Sequence, residues 1–241
     1  PILVDDVADL VGAGTSILNA ATSITSSDRV TLEQSRTLDA ATTSDANTVF
    51  EITDTAANVL SATAAELARG NTNNNTINLL DTSLSAAVVT QLRAKDAANN
   101  PVEGVGGFLI NTNAVKIKDS ASNLLLAANA DAVVNTSTVE VTDAISVSNA
   151  SAILAKTKSN AAVSYKLTGD FNTFLTSSAS GIKAGGTVSG RTVTVDSINV
   201  TNALSLVQAV EVLNWGGNAN VATTDDATRV FTITDTAGVI G

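Results

Sequence analysis

The chain has 241 residues, with 13 basic and 23 acidic side chains and a net charge of −10. It contains no cysteine, histidine or methionine, which excludes disulfides, zinc sites built from Cys or His, and catalysis by a histidine base. So acidic a chain lacks the cationic surface that nucleic acid or an anionic membrane requires. No apolar run is long enough to span a bilayer. We therefore expect a non-enzymatic protein that neither binds nucleic acid nor inserts into membranes.

A strand-like phrase that ends in aspartate recurs along the chain. Each copy alternates apolar and polar residues, as a strand does, and then becomes rich in small and apolar residues. The copies are, in chain order, ILVDDVADLV (Ile2–Val11), FEITDTAANVL (Phe50–Leu60), VKIKDSASNLL (Val115–Leu125), YKLTGDFNTFL (Tyr165–Leu175) and FTITDTAGVI (Phe231–Ile240). Repetition of this kind predicts a repeat architecture.

A second phrase lies between these copies. It appears as RVTLEQSRTLDAAT (Arg29–Thr42), TINLLDTSLSAAVVTQL (Thr76–Leu92), TVEVTDAISVSNASAIL (Thr138–Leu154) and TVTVDSINVTNALSLV (Thr192–Val207). The first of these copies has Glu33 or Gln34 where the others have Asp. The two phrases together predict a single repeat domain, 1–241, of about four units. Their approximate bounds are 1–48, 49–113, 114–163 and 164–229, with a partial fifth unit at 230–241.

Helical spacing follows two of the strand-like segments. Thr55–Ala68 carries apolar residues at helical intervals; Asp54 is placed to cap this helix and Gly70 to end it. A second helix is predicted over Thr201–Trp215, with an apolar stripe of Leu204, Val207, Val210 and Leu213. The segment 177–190 is too rich in Gly and Ser for a good helix.

Alternating strands and helices indicate parallel strands joined by right-handed crossovers. We therefore predict an α/β repeat solenoid with parallel strands joined by short helices. The alternative is an all-β solenoid or sandwich, in which the segments rich in Thr and Asn form extended turns.

The aspartates at the strand ends are the recurring polar feature, and they are the candidate site. They are Asp54, Asp81, Asp119, Asp143, Asp196 and Asp235. A column of bare carboxylates at the spacing of neighbouring strands would repel, so backbone N–H groups at helix starts, intervening strands or a shared cation must relieve it. Two interpretations stay open, a helix cap and a calcium site. The acidic pairs Asp5-Asp6 and Asp225-Asp226 are either solvated or calcium contacts between subunits.

The phrase ITDTAANV resembles a repeat of large secreted bacterial proteins, many of them exported by type I systems in cyanobacteria and proteobacteria. Their units have a strand ending in "DTAANI", a helix, a second strand ending in "LTD" and another helix. Asp54-Thr55-Ala56-Ala57-Asn58 matches the first ending, and Asp119-Ser120-Ala121-Ser122-Asn123 is close to it; Asp81 and Asp143 fit the second. The resemblance implies an extracellular surface or adhesin-like protein, often linked to calcium, with no catalytic residues to transfer.

Both ends of the repeat pattern look unfinished, because the last copy has a strand but no room for its helix. We expect either a cut from a longer array or a subunit that polymerises end to end. In the second case the joint consists of Ile2, Leu3, Val4, Phe231 and Ile233, and Phe50, Tyr165 and Phe231 anchor the layers. The expected function is therefore an extracellular structural subunit whose main partner is itself, with a cell-surface polysaccharide as a further candidate. The alternative is a calcium-stabilised adhesin segment.

Overall fold

The computed structural model describes residues 2–41, 47–68, 75–99, 108–112, 114–176, 179–213 and 228–230. The chain divides into two compact units. The first unit comprises Pro1–Thr82 and Val88–Val115, and the second comprises Ser83–Ala87 and Lys116–Gly241.

The strands of the described residues range from 2 to 10 residues in length. They are β1 Ile2–Asp5, β2 Ser23–Ser26, β3 Asn47–Val49, β4 Thr53–Asp54, β5 Asn75–Leu79, β6 Ser83–Leu84, β7 Phe108–Asn111, β8 Lys116–Asp119, β9 Thr138–Ile145, β10 Ala162–Gly169, β11 Gly186–Val188, β12 Arg191–Val200 and β13 Thr228–Val230.

The helices lie between these strands along the chain. They are α1 Val7–Gly12, α2 Thr15–Ala20, α3 Leu32–Ala41, α4 Ala56–Ser61, α5 Ala64–Leu67, α6 Ala86–Asn99, α7 Ala121–Leu125, α8 Ala130–Asn135, α9 Val147–Lys156, α10 Phe171–Phe174, α11 Ala179–Ala184 and α12 Leu206–Leu213; a 3₁₀ turn covers Ala127–Asn129. None of the helices in the described ranges is both long and apolar enough to cross a membrane.

The first unit contains two parallel sheets, ordered β1-β2-β3 and β4-β5-β7. A parallel bridge joins Val30, just after β2, to Ile52, just before β4. Ile24 in β2, Ile52 just before β4 and Ile77 in β5 are fully buried. Strands of the first sheet are added in chain order, whereas the second sheet skips β6, which belongs to the sheet of the second unit.

The second unit contains one sheet, ordered β11-β12-β10-β9-β8-β6, in which β13 also pairs with β12. All its pairs are parallel except β11 with β12, a hairpin that turns at Ser189 and Gly190 with φ of 50° and 79°. A Cβ at position 190 would lie 2.9 Å from the Ser159 carbonyl oxygen, so the turn needs glycine there. The hairpin caps this side of the sheet locally with an antiparallel strand.

The predicted combination of parallel strands and short helices is confirmed for the described residues. The all-β alternative is wrong, because helices follow the strands and bury their own apolar faces. In α9, for example, Val147, Ala150 and Ile153 are buried at helical intervals.

The helix predicted over Thr55–Ala68 is two helices, α4 and α5. Thr63 interrupts it by starting a new helix: its hydroxyl accepts from Glu66 N, and Glu66 Oε2 accepts from Thr63 N, forming a capping box. The sequence pattern missed this break because the apolar spacing continues across it.

The helix predicted over Thr201–Trp215 begins later, since α12 spans Leu206–Leu213. Its predicted apolar stripe is confirmed at Leu204, which is fully buried, and wrong at Val207 and Val210; the side chain of Leu213 lies outside the described part of the chain. Val207 is 76% exposed and Val210 is 51% exposed, whereas Ala209 and Val212 are buried. The segment 177–190, for which no good helix was expected, contains α11 and then β11.

Candidate functional site

Side-chain oxygens near the ends of strands accept hydrogen bonds from the N-termini of helices that belong to neighbouring strands. In each case the first backbone N–H of a helix donates to a side-chain oxygen of a residue that lies in or just after a later strand of the chain. The pairs are Val7 N with Asp28 Oδ1 (2.8 Å), Leu32 N with Asp54 Oδ2 (2.9 Å), Ala56 N with Asp81 Oδ2 (2.5 Å), Ala86 N with Asp119 Oδ2 (3.0 Å), Ala121 N with Asp143 Oδ1 (2.8 Å) and Phe171 N with Asn202 Oδ1 (2.7 Å). The aspartates thus link strand–helix pairs to one another.

Asp54 shows how the DTAAN phrase builds this arrangement. Its Oδ1 accepts from Thr55 N at 2.7 Å and from Asn58 Nδ2 at 2.8 Å, while Oδ2 accepts from Leu32 N. Thr55 is the N-cap of α4, because its hydroxyl accepts from Asn58 N. With three donors around it, the 4% exposed carboxylate is buried without an unsatisfied oxygen.

Asp119 repeats this geometry in the second unit. Its Oδ1 accepts from Ser120 N at 2.8 Å and Asn123 Nδ2 at 2.7 Å, and its Oδ2 accepts from Ala86 N. Ser120 takes the role of the threonine as N-cap. The repeated phrase therefore specifies one hydrogen-bonded junction. The Asp accepts three hydrogen bonds, the Ser or Thr caps the helix, and the Asn side chain donates to the Asp.

Lysines hold the opposite ends of the same short helices. Lys95 Nζ of α6 donates to Leu60 O at 3.0 Å and Ala62 O at 2.6 Å, at the C-terminus of α4. Lys156 Nζ of α9 donates to Leu125 O at 2.6 Å, at the C-terminus of α7. These are carbonyl groups that lack a hydrogen-bond partner within the helix. The negative, C-terminal end of the helix dipole also favours a nearby cation.

We call the combination of a carboxylate at the start and a lysine at the end of one helix the Asp–Lys clamp. Asp81 and Lys95 clamp α4, and Asp143 and Lys156 clamp α7. Helices of six and five residues are too short to be stable alone. The Asp and Lys of the next strand–helix pair supply the hydrogen-bond partners that the ends of so short a helix lack.

Asp28 belongs to this set and was missed from the sequence, where Glu33 or Gln34 was expected to stand in for the aspartate. Asp28 Oδ1 accepts from Ser26 Oγ at 2.7 Å as well as from Val7 N. The hydrogen bond from Ser26, followed by that from Val7 N, lowers the pKa of Asp28 below its ordinary value. Gln34 instead accepts from Thr31 N at the start of α3. The SITSSD segment, aligned with TINLLD, would have revealed the equivalence.

Two predicted strand-end positions are wrong. Asp143 lies inside β9, which continues to Ile145. Asp196 does not end its strand either. It lies inside β12, at a bulge: Val195 pairs with Tyr165 and Ser197 with Lys166, which leaves Asp196 as the extra residue. The strand then continues to Val200, and Asn202 provides the oxygen for Phe171 N. The bulge displaced the aspartate from the position its sequence context suggested.

Asp170 also departs from the pattern. Its Oδ1 accepts from the hydroxyl of Thr201 at 3.0 Å. Gly169, one residue more than the other copies of the phrase have before their Asp, is the last residue of β10 and pairs with Val200. The carboxylate of Asp170 thus links the residue after β10 to the residue after β12.

The hydrogen bonds bear on the calcium interpretation. Both oxygens of Asp54 and of Asp119 already accept N–H donors, which a cation would have to displace, so these residues are poor calcium ligands. Within the described ranges, one group of three acidic side chains lies close enough to share an ion: Asp5, Asp6 and Asp9, all exposed, with ligand oxygens within 4.8 Å of one another.

The first strand presents an open edge. Among the described residues, β1 pairs only with β2, in the parallel register Leu3 with Ile24 and Asp5 with Ser26. Ile2 is 71% exposed and Val4 is 64% exposed. The expected anchors Phe50 and Tyr165 are buried, and Tyr165 Oη donates to Ile182 O at 2.9 Å. Seven predicted positions lie outside the described residues: Gly70, Trp215, Asp225, Asp226, Phe231, Ile233 and Asp235.

No known protein family, curated protein or solved structure matches this chain. Function must therefore be argued from the geometry of the chain itself.

Proposed function

We propose that this protein is an extracellular structural subunit that assembles head to tail into a filament or surface layer. In this proposal its strand–helix pairs stack as a repeat solenoid. The observation that carries the proposal is the open edge of β1, which presents two exposed apolar residues, Ile2 and Val4.

An open strand edge is a template for another strand, because its unpaired N–H and C=O groups can extend the sheet. Proteins that stay monomeric blunt such edges with lysine, proline, bulges or a covering element. Residues Ile2 to Val4 carry no charge and pair in regular register with Ser23 to Thr25 on their other side. These features favour the addition of a further strand.

The second half of the joint is proposed from the sequence. Phe231 and Ile233 directly follow β13, which pairs with β12 in parallel. A contact between two different surfaces of identical subunits is heterologous, and it produces an open polymer unless the rotation closes a ring. Backbone hydrogen bonds would supply affinity, and alternate side chains would set the register.

The extracellular setting rests on composition and on the resemblance to secreted repeat proteins. Charged residues make up only 15% of the chain and cysteine is absent. A structural rather than catalytic role agrees with the strand-end carboxylates, because several of them accept backbone N–H groups of neighbouring helices. A cell-surface polysaccharide is a further proposed partner.

Sedimentation velocity and electron microscopy over a concentration series test the proposal. The unmodified chain should form elongated polymers whose mass rises with concentration. Val4→Lys places a charge on the edge and should leave monomers. Val134→Lys is the matched control, because Val134 is 45% exposed and lies in a helix, α8, instead of a strand. A compact monomer at every concentration, or equal loss with both variants, contradicts the proposal.

The second candidate is a calcium-stabilised adhesin segment, favoured by the cluster of Asp5, Asp6 and Asp9. Bound calcium would raise the melting temperature through mass action. A titration with millimolar calcium on the unmodified chain and on Asp9→Asn separates the candidates. An unchanged melting temperature of the unmodified chain removes the calcium function.

A further inference from the structure

Asp5 occupies the same local position as Asp54 and Asp119. Each ends its strand, and each accepts the N–H of the following residue on Oδ1, at 3.0 Å from Asp6, 2.7 Å from Thr55 and 2.8 Å from Ser120. The pairing towards the next strand is equivalent as well. Asp5 lies opposite Ser26, Asp54 opposite Leu79 and Asp119 opposite Val141.

The three aspartates differ on their other side. Oδ2 of Asp54 accepts the first N–H of α3, from Leu32, and Oδ2 of Asp119 accepts the first N–H of α6, from Ala86. Within the described residues, the carboxylate of Asp5 accepts only from Asp6 N. Oδ2 of Asp5 therefore lies at the open edge of β1. At the equivalent place in the internal copies, Oδ2 of the aspartate accepts the first N–H of a helix.

The strand register predicts how an added layer would sit on this edge. Val30 pairs with Ile52, and Leu84 pairs with Ile117; in both cases the helix that donates to the aspartate starts just beyond the paired residue, at Leu32 and at Ala86. Ile52 and Ile117 precede Asp54 and Asp119 as Leu3 precedes Asp5. Leu3 is therefore the residue that would pair with an apolar residue of the incoming strand.

We propose that the open edge of β1 receives a strand–helix layer from a second copy of this chain. Leu3 pairs with an apolar residue of that strand, and the first backbone N–H of its helix donates to Asp5 Oδ2. The inference rests on the proposed head-to-tail assembly and specifies its joint. A second copy is the fitting occupant because this chain contains the required unit several times, an apolar strand end followed directly by a helix start. The same contact already joins strand to strand within both units.

Sedimentation velocity of Asp5→Ala tests the joint, with Asp9→Ala as control. Asp9 belongs to the same exposed cluster but lies inside α1, so its side chain is not at the strand end. Loss of one capping acceptor should weaken association by about fivefold in Asp5→Ala, while Asp9→Ala associates as the unmodified chain does. Equal melting temperatures in dilute solution show that both variants fold.

Three results would overturn the joint. If the unmodified chain stays monomeric, the proposed function fails together with it. If the unmodified chain polymerises and Asp5→Ala polymerises equally well, only the role of Asp5 fails. If both variants weaken assembly equally and a chelator abolishes it, the acidic cluster holds a cation instead of a helix N-terminus.

Discussion

Lys156 Nζ lies 2.6 Å from the carbonyl oxygen of Leu125, 31 residues earlier in the chain. At the other end of the same helix, Asp143 Oδ1 lies 2.8 Å from Ala121 N. A helix of five residues is therefore held at both ends by side chains of the following strand–helix pair. Asp81 and Lys95 hold α4 in the same way, which makes the Asp–Lys clamp a repeated device.

The clamp predicts that its lysines stabilise the fold more than an ordinary surface lysine does. Lys156→Met keeps most of the aliphatic stem but removes the donor to Leu125 O, so the free energy of unfolding should fall by about 1–2 kcal/mol. Lys158→Met is the control, because Lys158 Nζ contacts the exposed hydroxyl of Ser137. Urea denaturation measures both, and equal stabilities would contradict the clamp.

Asp54 and Asp81 should respond differently to replacement by asparagine. Asp81 accepts one N–H, so an amide oxygen can replace it, as Asn202 does for Phe171 N; we expect a loss under about 1 kcal/mol. Asp54 uses both oxygens, and an asparagine would point its own N–H₂ at a donor, costing about 2–4 kcal/mol. Thermal melting of the two variants checks this order; a milder effect at Asp54 would refute the assigned hydrogen bonds.

Glu66 should give the protein a pH-dependent contact in acid. Hydrogen bonds from Arg36, and then from Thr63, lower the pKa of Glu66 from 4.5 to about 2. A carboxylate with a lowered folded-state pKa contributes stability that is fully present above its unfolded value, and this contribution is lost as the pH falls from about 4.5 to about 2. NMR titration of the Glu66 carboxyl should show the low value and a rise towards 4.5 in Arg36→Gln. Arg29→Gln, whose partner is Glu51, should leave Glu66 unchanged.

Tyr165 offers a spectroscopic test of the core, because it is the chain's one tyrosine. It is fully buried, and burial raises the pKa of its hydroxyl. The near-ultraviolet absorbance of phenolate should therefore appear only when the protein unfolds in alkali, in step with the loss of circular dichroism. Ionisation near the pKa of a free tyrosine, with the fold intact, would mean that Tyr165 is exposed.

The strand and helix order was predictable because the phrase is short, repeated and alternating. What the sequence could not show was which helix each carboxylate serves. A cap is normally sought on the residue's own helix, as Asp54 was, whereas its Oδ2 binds the helix start at Leu32, 22 residues earlier. Such contacts depend on the parallel register between strands, which local patterns do not fix.

The remaining errors have local physical causes. Because β12 contains a bulge at Asp196, this residue lies inside the strand, and Asn202 accepts the first N–H of α10 instead. A capping box at Thr63 divided one apolar pattern into two helices. In α12 the apolar residues outnumber the positions that the core can cover, so spacing alone did not identify Val207 as exposed.

Head-to-tail growth predicts a specific effect of a blocked subunit on the unmodified chain. Val4→Lys lacks a usable β1 edge but keeps the C-terminal half of the proposed joint, so it can join a growing polymer and then stop it. Small amounts should shorten the polymers, as measured by electron microscopy, whereas Val134→Lys should leave their length unchanged. Polymers of unchanged length with Val4→Lys would exclude growth through β1.

A reconstruction, by electron cryo-microscopy, of any polymer that the purified chain forms tests the central claim most directly. The account predicts subunits related by one repeated operation, with β1 of each subunit paired in parallel with a strand of its neighbour and Asp5 at the start of that neighbour's helix. A polymer in which Ile2 and Val4 face solvent, or a protein that remains a monomer at every concentration, would contradict it.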